Sequence, residues 1–259
     1  TRYISVTGVQ TCALPILGTS HLANGTPCED SCWALCDQTA ISTPVLSIFV
    51  ADGAGSASNG GEGAELAIQD AAAFVATKLS RHEFCLSDAV AVDCVVAVRE
   101  RIYRQAEVQG LTARDFACTL LGLISTPHAT LVLQIGDGGI VVDLGQGLEL
   151  AVVPMVGEYA NMTHFVTDGD AVEVLVTKLY QSGVERAAAF SDGLQRLALN
   201  MASSTPHEPF FTPFFRVLDA AEDDQEDELQ AALVRFLNSP QVNDRTDDDK
   251  TLVVAARRA

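Results

Sequence analysis

VLSIFVADGAGS, residues 45–56, reads as a buried β-strand running into a glycine-rich turn. Val45 to Val50 is apolar and rich in β-branched side chains, and the run stops at Ala51-Asp52-Gly53-Ala54-Gly55-Ser56. Asp52 therefore stands where a strand ends. Beyond the turn the texture becomes helical. Ala64, Ala67, Ile68, Ala71, Val75 and Leu79 keep helical spacing between Glu62 and Arg81, and Ala91, Val95, Val98 and Ile102 repeat it. Ser87 is placed to cap the second helix and Gly110 to end it.

After these helices come short apolar runs separated by Gly, Asp and Asn: TLVLQI, IVVDL, LELAVVP and THFVTD, which read as an antiparallel meander. A helix is expected from about Ala171 to Gln181, then a strand from Glu185 to Phe190 that meets Ser191-Asp192-Gly193. Leu229 to Leu237 is helical again, and Thr251 to Ala256 makes a final strand. Strands and helices are grouped, not alternating as βαβ units, so the expected fold is a single α+β layered domain.

Thirty-four acidic residues against sixteen Lys and Arg give a formal charge of -18, which repels nucleic acid and anionic lipid and attracts divalent cations. No stretch reaches the ~18 apolar residues of a membrane span, and 48% hydrophobic content suffices for a core. The cysteines lie in apolar stretches without a Cys-x-x-Cys pair, as small core residues in a reducing, cytoplasmic setting. Cys28, Cys32 and Cys36 recur every four residues, yet no further ligand cluster completes a zinc set, so burial is expected. Val6 to Ile16 (VTGVQTCALPI) looks like an in-frame translation of a sequencing-library adapter. On that reading residues 1–16 are a foreign leader set aside from fold reasoning, Cys12 is not native, and residues 17–259 form the domain without its own N-terminus, the alternative being a native N-terminal strand or a weak signal peptide.

Aspartates recur where apolar runs stop: Asp52, Asp137 after LVLQIG, Asp192 after AAAFS, and Asp248 before TLVVAA. Carboxylates converging from separate strands would offer the oxygen-rich set that Mg²⁺ and Mn²⁺ prefer. Asp-Gly is also a good turn sequence in its own right, and LVLQIGDGGIVVDL reads equally as a plain hairpin around Asp137. The joint order carries more than any one of them. Glu29-Asp30, Asp52-Gly53-Ala54-Gly55-Ser56, Gly136-Asp137-Gly138, Ser191-Asp192-Gly193 and Asp248-Asp249-Lys250-Thr251 together resemble the ordered motifs of the type 2C metal-dependent Ser/Thr protein phosphatases, from Ser20 to Ala256. The flanking stretches Gly18 to Asp30 and Gly157 to Phe165 resemble a bacterial branch of that family.

The resemblance implies a four-layer α-β-β-α sandwich of two antiparallel sheets flanked by helices, with two Mn²⁺ or Mg²⁺ ions at one edge. By motif position Asp52 would bridge both ions, the Gly53 carbonyl would bind the second, and Asp192 and Asp248 would complete the first. Glu29 and Asp30 would hold metal-bound waters, and Asp137 would help bind a looser third ion. Asp30, Asp52, Asp192 and Asp248 are then the catalytic set, acting through a water between two cations whose pKa falls toward neutrality, so that hydroxide attacks phosphorus in line. The implied substrates are phosphoserine and phosphothreonine proteins, including those of a cognate Ser/Thr kinase.

Three positions depart from the family. Gly25 stands where many relatives carry a phosphate-clasping arginine, Ala54 where a histidine often follows the first Asp-Gly, and Arg196 where many carry an acid. Gly25 and Ala54 motivate the alternative of a catalytically silent module that binds a phosphoprotein or a signalling partner. Arg196 is expected to face outward, and His21 offers either a phosphate donor or acid or a structural hydrogen bond. The Asp248 assignment rests on its three-residue spacing to Thr251, a register that could slip to Asp247 or Asp249. Glu222 to Glu228 reads as a solvated helix start.

Overall fold

A strand apolar on both faces needs cover on both, and the run from Val45 to Ala51 finds it within β3 (Pro44–Asp52). Val45, Phe49 and Ala51 point to one core, whereas Leu46, Ile48 and Val50 point to another, the period-two alternation of a pleated strand. The computed structural model of the protein describes residues 9–80, 84–154, 163–221 and 225–257. In chain order the strand β3 is preceded by β1 (Val9–Ile16), α1 (Thr19–Asn24) and β2 (Asp30–Gln38). It is followed by α2 (Gly60–Leu79), α3 (Asp88–Gln109), β4 (Leu120–Ser125), β5 (Thr130–Ile135), β6 (Gly139–Asp143), β7 (Leu148–Leu150), β8 (Val176–Tyr180) and β9 (Arg186–Phe190). Then come α4 (Gln195–Ala198), a small ribbon of β10 (Leu199–Asn200) and β11 (Thr205–Pro206), α5 (Glu208–Ala220), α6 (Glu226–Leu237), α7 (Pro240–Asn243) and β12 (Lys250–Arg257).

Two five-stranded antiparallel sheets stack, in the orders β1-β12-β9-β6-β7 and β2-β3-β4-β5-β8. Their facing sides share a core of Ile48, Val50, Leu121, Leu123, Val253 and Ala255 among others. The outer face of the β3 sheet packs on α2 and α3 through Phe49, Leu120, Ile124, Ala67, Val95 and Ile102. That of the β12 sheet packs on α5 and α6 through Leu252, Val254, Phe190, Phe211, Phe215 and Leu237. Three cores between four layers are the expected α-β-β-α sandwich.

Helix α3 follows Ser87 and closes at Gly110, whose φ of 67° is the left-handed terminator conformation that glycine adopts without strain. Cys32 and Cys36 are buried on β2 and Cys28 is half-buried, whereas Cys85, expected in the core, is exposed.

Several local expectations are corrected. The segment read as a helix from about Ala171 to Gln181 turns through Ala171 and then forms the strand β8. Val176-Thr177-Lys178-Leu179-Tyr180 has strand-forming residues, and the open edge of β5 pairs it from Gln134↔Val176 to Thr130↔Tyr180. THFVTD is a turn-rich connection, not a meander strand. Nor is LVLQIGDGGIVVDL a hairpin. Strand β5 pairs with β4 and β8, β6 pairs with β9 and β7, and Gly136-Asp137-Gly138 carries the chain from one sheet to the other. Helix α5, with Pro213 inside it and Phe210, Phe211 and Phe215 buried, was not expected from the sequence pattern.

The segment set aside as a leader also needs correction where the fold is concerned. Val9–Ile16 is an edge strand paired along its whole length with β12, from Val9↔Arg257 to Ile16↔Lys250, and it buries Cys12 and Ala13. An open strand edge is a template for any half-apolar segment in reach, and Pro15 is tolerated because the strand is an edge. Residues 1–8 lie outside the described residues, as do residues 155–162, which hold most of the Gly157 to Phe165 stretch. Residues 222–224 of the acidic run lie outside them too.

Candidate metal centre

Antiparallel pairing brings strand ends together. Asp30 opens β2 and Asp52 closes β3, and the register sets them opposite one another. Asp192 lies two residues beyond β9, Asp248 two before β12, and Asp137 in the crossover from β5 to β6. The sandwich thus gathers at one end carboxylates that lie far apart in the chain.

Asp30 is the most enclosed, only 5% exposed. Its Oδ2 accepts from Ser191 Oγ and Thr251 Oγ1, each at 2.7 Å, which ties the first sheet to the second. Its Oδ1 is buried without a hydrogen-bond partner, and so is Oδ1 of Asp192. Burial pushes the Asp30 carboxyl up to about 7, against the pull of the Thr251 and Ser191 hydroxyls. Asp52 rises well above the usual carboxylate range, first from burial and then from the charges of Asp30 and Asp192. Asp192 reaches about 6 through burial and through Asp137 and Asp248. Two adjacent carboxylates that must share a proton, with buried oxygens left unsatisfied, are a cation site in energetic terms. Hard divalent ions bound by oxygen fit this donor set.

The neighbours of Asp248 are engaged in other ways. Asp249, 4% exposed, accepts from the Gly18 N–H at 2.6 Å and the Glu29 N–H at 2.7 Å, so it clamps the two loops that flank it. Asp247 gives its carbonyl to Ser20. Asp248 is exposed, accepts the Asp249 N–H at 2.9 Å, and its charge reaches both Asp52 and Asp192. That division favours Asp248 as the ligand. Close packing holds it: a methyl on Gly18 would collide with the Asp248 backbone, and one on Gly193 with the Asp249 carbonyl. The clamping role of Asp249 went unread in the sequence, where it was one of three adjacent aspartates.

Glu29 is half-buried, with its carbonyl accepting the Gly53 N–H at 3.1 Å and its carboxyl raised chiefly by burial. Asp137 accepts from Thr163 Oγ1 at 2.6 Å and takes Gln195 Nε2 on its carbonyl, while Gln134 Nε2 bonds the carbonyls of Gly136 and Gly138. Gly136, at φ 111°, makes the crossover bend. Asp137 is therefore beside Asp192 but has a partner of its own. Gly25 proves to be the left-handed terminator of α1 at φ 70°, Ala54 is buried, and Arg196 is exposed.

Residues 17–238 match the family described as Protein phosphatase 2C. This chain is a protein phosphatase 2C family member. Within the curated proteins the chain is 54% identical over 239 residues to Serine/threonine-protein phosphatase 3 of Escherichia coli (strain K12), spanning 92% of this chain and 94% of that one. Its fold is similar to the catalytic domain of the serine threonine protein phosphatase PstP in complex with 2 manganese ions, at 17% identity and a TM-score of 0.61 over 97% of this chain and 99% of that one. It is equally similar to PppA, a regulatory component of T6SS in Pseudomonas aeruginosa, at 18% identity and 0.61 over the same shares. For a phosphatase of this family the carboxylate cluster that bonds one sheet to the other is the candidate site.

Proposed function

We propose that this phosphatase hydrolyses phosphoserine and phosphothreonine in proteins at the Asp30, Asp52, Asp192 and Asp248 cluster, loaded with two Mn²⁺ or Mg²⁺ ions. The observation that carries the reading is the set of carboxylates from both sheets whose buried oxygens lack partners and whose protons are held unusually tightly. When bound, such ions generate a nucleophile from water at neutral pH and offset charge on the phosphoryl oxygens.

The chain's own residues do the positioning. Asp52, with the Gly53 carbonyl beside it, lies between the Asp30 and Asp192 carboxylates and is placed to serve both ions. Asp192 and Asp248 would complete the first ion's set. Ser191 and Thr251 aim Asp30 by their hydroxyls, and with Glu29 it would order water around the ions. Asp137, whose Oδ2 accepts from Thr163, would serve a third, looser ion. The substrates we favour are phosphoproteins of a cognate kinase in the cytoplasm. Among the described residues no helix is long and apolar enough to cross a membrane. A silent binding module has little reason to keep every carboxylate at this cost in proton affinity.

Purified protein should hydrolyse a phosphoserine peptide only with added Mn²⁺ or Mg²⁺. Asp52→Asn and Asp192→Asn should each lower kcat by more than the ~10–100-fold typical of residues that merely support a metal ligand. Full activity in chelator, or in either variant, would falsify this site.

A further inference from the structure

Outside the carboxylate cluster, one side chain on its rim is built as a proton donor and has no role so far. His21 lies on α1, and its buried Nδ1 is 3.0 Å from Oδ2 of Asp249, within ion-pair distance but not aligned as a hydrogen bond. Asp249 cannot swing away, because the Gly18 and Glu29 N–H groups hold its two oxygens. A fixed carboxylate at this distance favours the Nδ1 edge of the ring facing it. The His21 side chain is 20% exposed although Nδ1 is not, so other atoms of the side chain meet solvent, and we infer that Nε2, across the ring from Nδ1, is among them. The ring sits on the rim of the proposed site: Asp249 adjoins Asp248, and the Glu29 carboxyl, raised by burial, is pulled back by the charge of His21.

A seryl or threonyl oxygen leaving phosphorus is a strong base and needs a proton, and it departs toward the protein that carries it, hence toward solvent. Lys250 and Arg196 are poorly placed for this. Lys250 is fully buried with Nζ on Asn243 at 2.7 Å, and Arg196 faces out on α4. Resting on the phosphatase reading above, we propose that His21, oriented by Asp249, is the proton donor to the leaving oxygen of the phosphoester. In that step water oxygen bonds to phosphorus, the P–O bond to the amino-acid side chain breaks, and the freed oxygen takes the Nε2 proton. The proton released from the water passes to solvent, which returns one to His21. Asp249 is a positioning residue in this scheme, and His21 touches the substrate.

Leaving-group chemistry separates this role from a structural one. Metal-saturated wild type, His21→Gln and Asp249→Asn are compared on a phosphoserine peptide and on p-nitrophenyl phosphate, whose phenolate leaves without protonation. His21→Gln should lower kcat on the peptide by ~10²–10⁴-fold, the usual worth of a general acid, and leave kcat on the aryl ester and inhibition by inorganic phosphate nearly unchanged. Asp249→Asn should repeat the split; because it also caps two loops, its melting temperature is recorded, and should it fail to fold, His21→Gln alone decides. Equal losses on both esters, or no loss on either, would overturn the donor role while leaving the phosphatase reading intact. Wild type inert on both esters with metal present would sink the phosphatase reading and this inference together.

Discussion

Asp30, Asp52 and Asp192 are held together in surroundings that favour the protonated carboxyl. Each folded-state carboxyl binds its proton more tightly than the roughly 3.9 of an unfolded aspartate, with Asp30 at about 7 and Asp192 at about 6. A raised folded-state pKa gives stability that is complete below the unfolded value and is lost as pH rises through the folded one. The metal-free protein should therefore melt at progressively lower temperature between pH 4 and 7 or so, and Mn²⁺ should flatten that decline by displacing the protons. Melting in chelator across this range is the measurement. A melting temperature that climbs with pH would mean the carboxylates are not buried together. The ordered motifs made Asp52, Asp192 and Asp248 legible from sequence, because strand-end aspartates have few uses. Asp249 was not, since a clamp and a ligand look alike until their hydrogen bonds are known.

At the scale of elements, legibility followed periodicity. Strand β3 and helices α2 and α3 each face a core along most of their length, so burial imprinted a clear two- or 3.6-residue rhythm on them. Strand β8 is half-exposed at a sheet edge and α5 carries Pro213, and both gave mixed signals because a neighbour, not the local sequence, decides their state. Strand β1 is the sharpest case. Its sequence reads as an adapter translation, yet eight residues pair with β12 and close the inner core over Ala13. We propose that residues 1–16 are foreign to the domain and infer that Val9–Ile16 fills an edge that another strand would otherwise cover. Removing residues 1–16 should then destabilise the protein, by about 2–5 kcal/mol if uncovering the inner core beneath β1 costs as much as a large-to-small core substitution. Urea unfolding checks this, and an unchanged midpoint would show that β1 is dispensable.

Across the whole molecule, the layered plan was legible from the grouping of strands and helices, whereas the passage of the chain between sheets was not. A glycine-flanked aspartate between two apolar runs has the local grammar of a hairpin, and only the pairing partners of β5 and β6 assign them to opposite sheets. That crossover has a mechanical consequence. Gly136-Asp137-Gly138 stitches the sheets together at the carboxylate end, where the loop from β1 to β2 crosses as well and Asp30 is bonded to both Ser191 and Thr251. At the other end, between Cys36, Pro44, Ser125, Val184 and Arg257, a cavity of about 250 Å³ opens between the same sheets. Breathing of the sandwich should begin there, as a book opens away from its spine. Amide hydrogens near Cys36 and Ala256 should exchange with deuterium well before those near Asp52 and Phe190, and the uniform protection of a single cooperative unit would contradict that hinge.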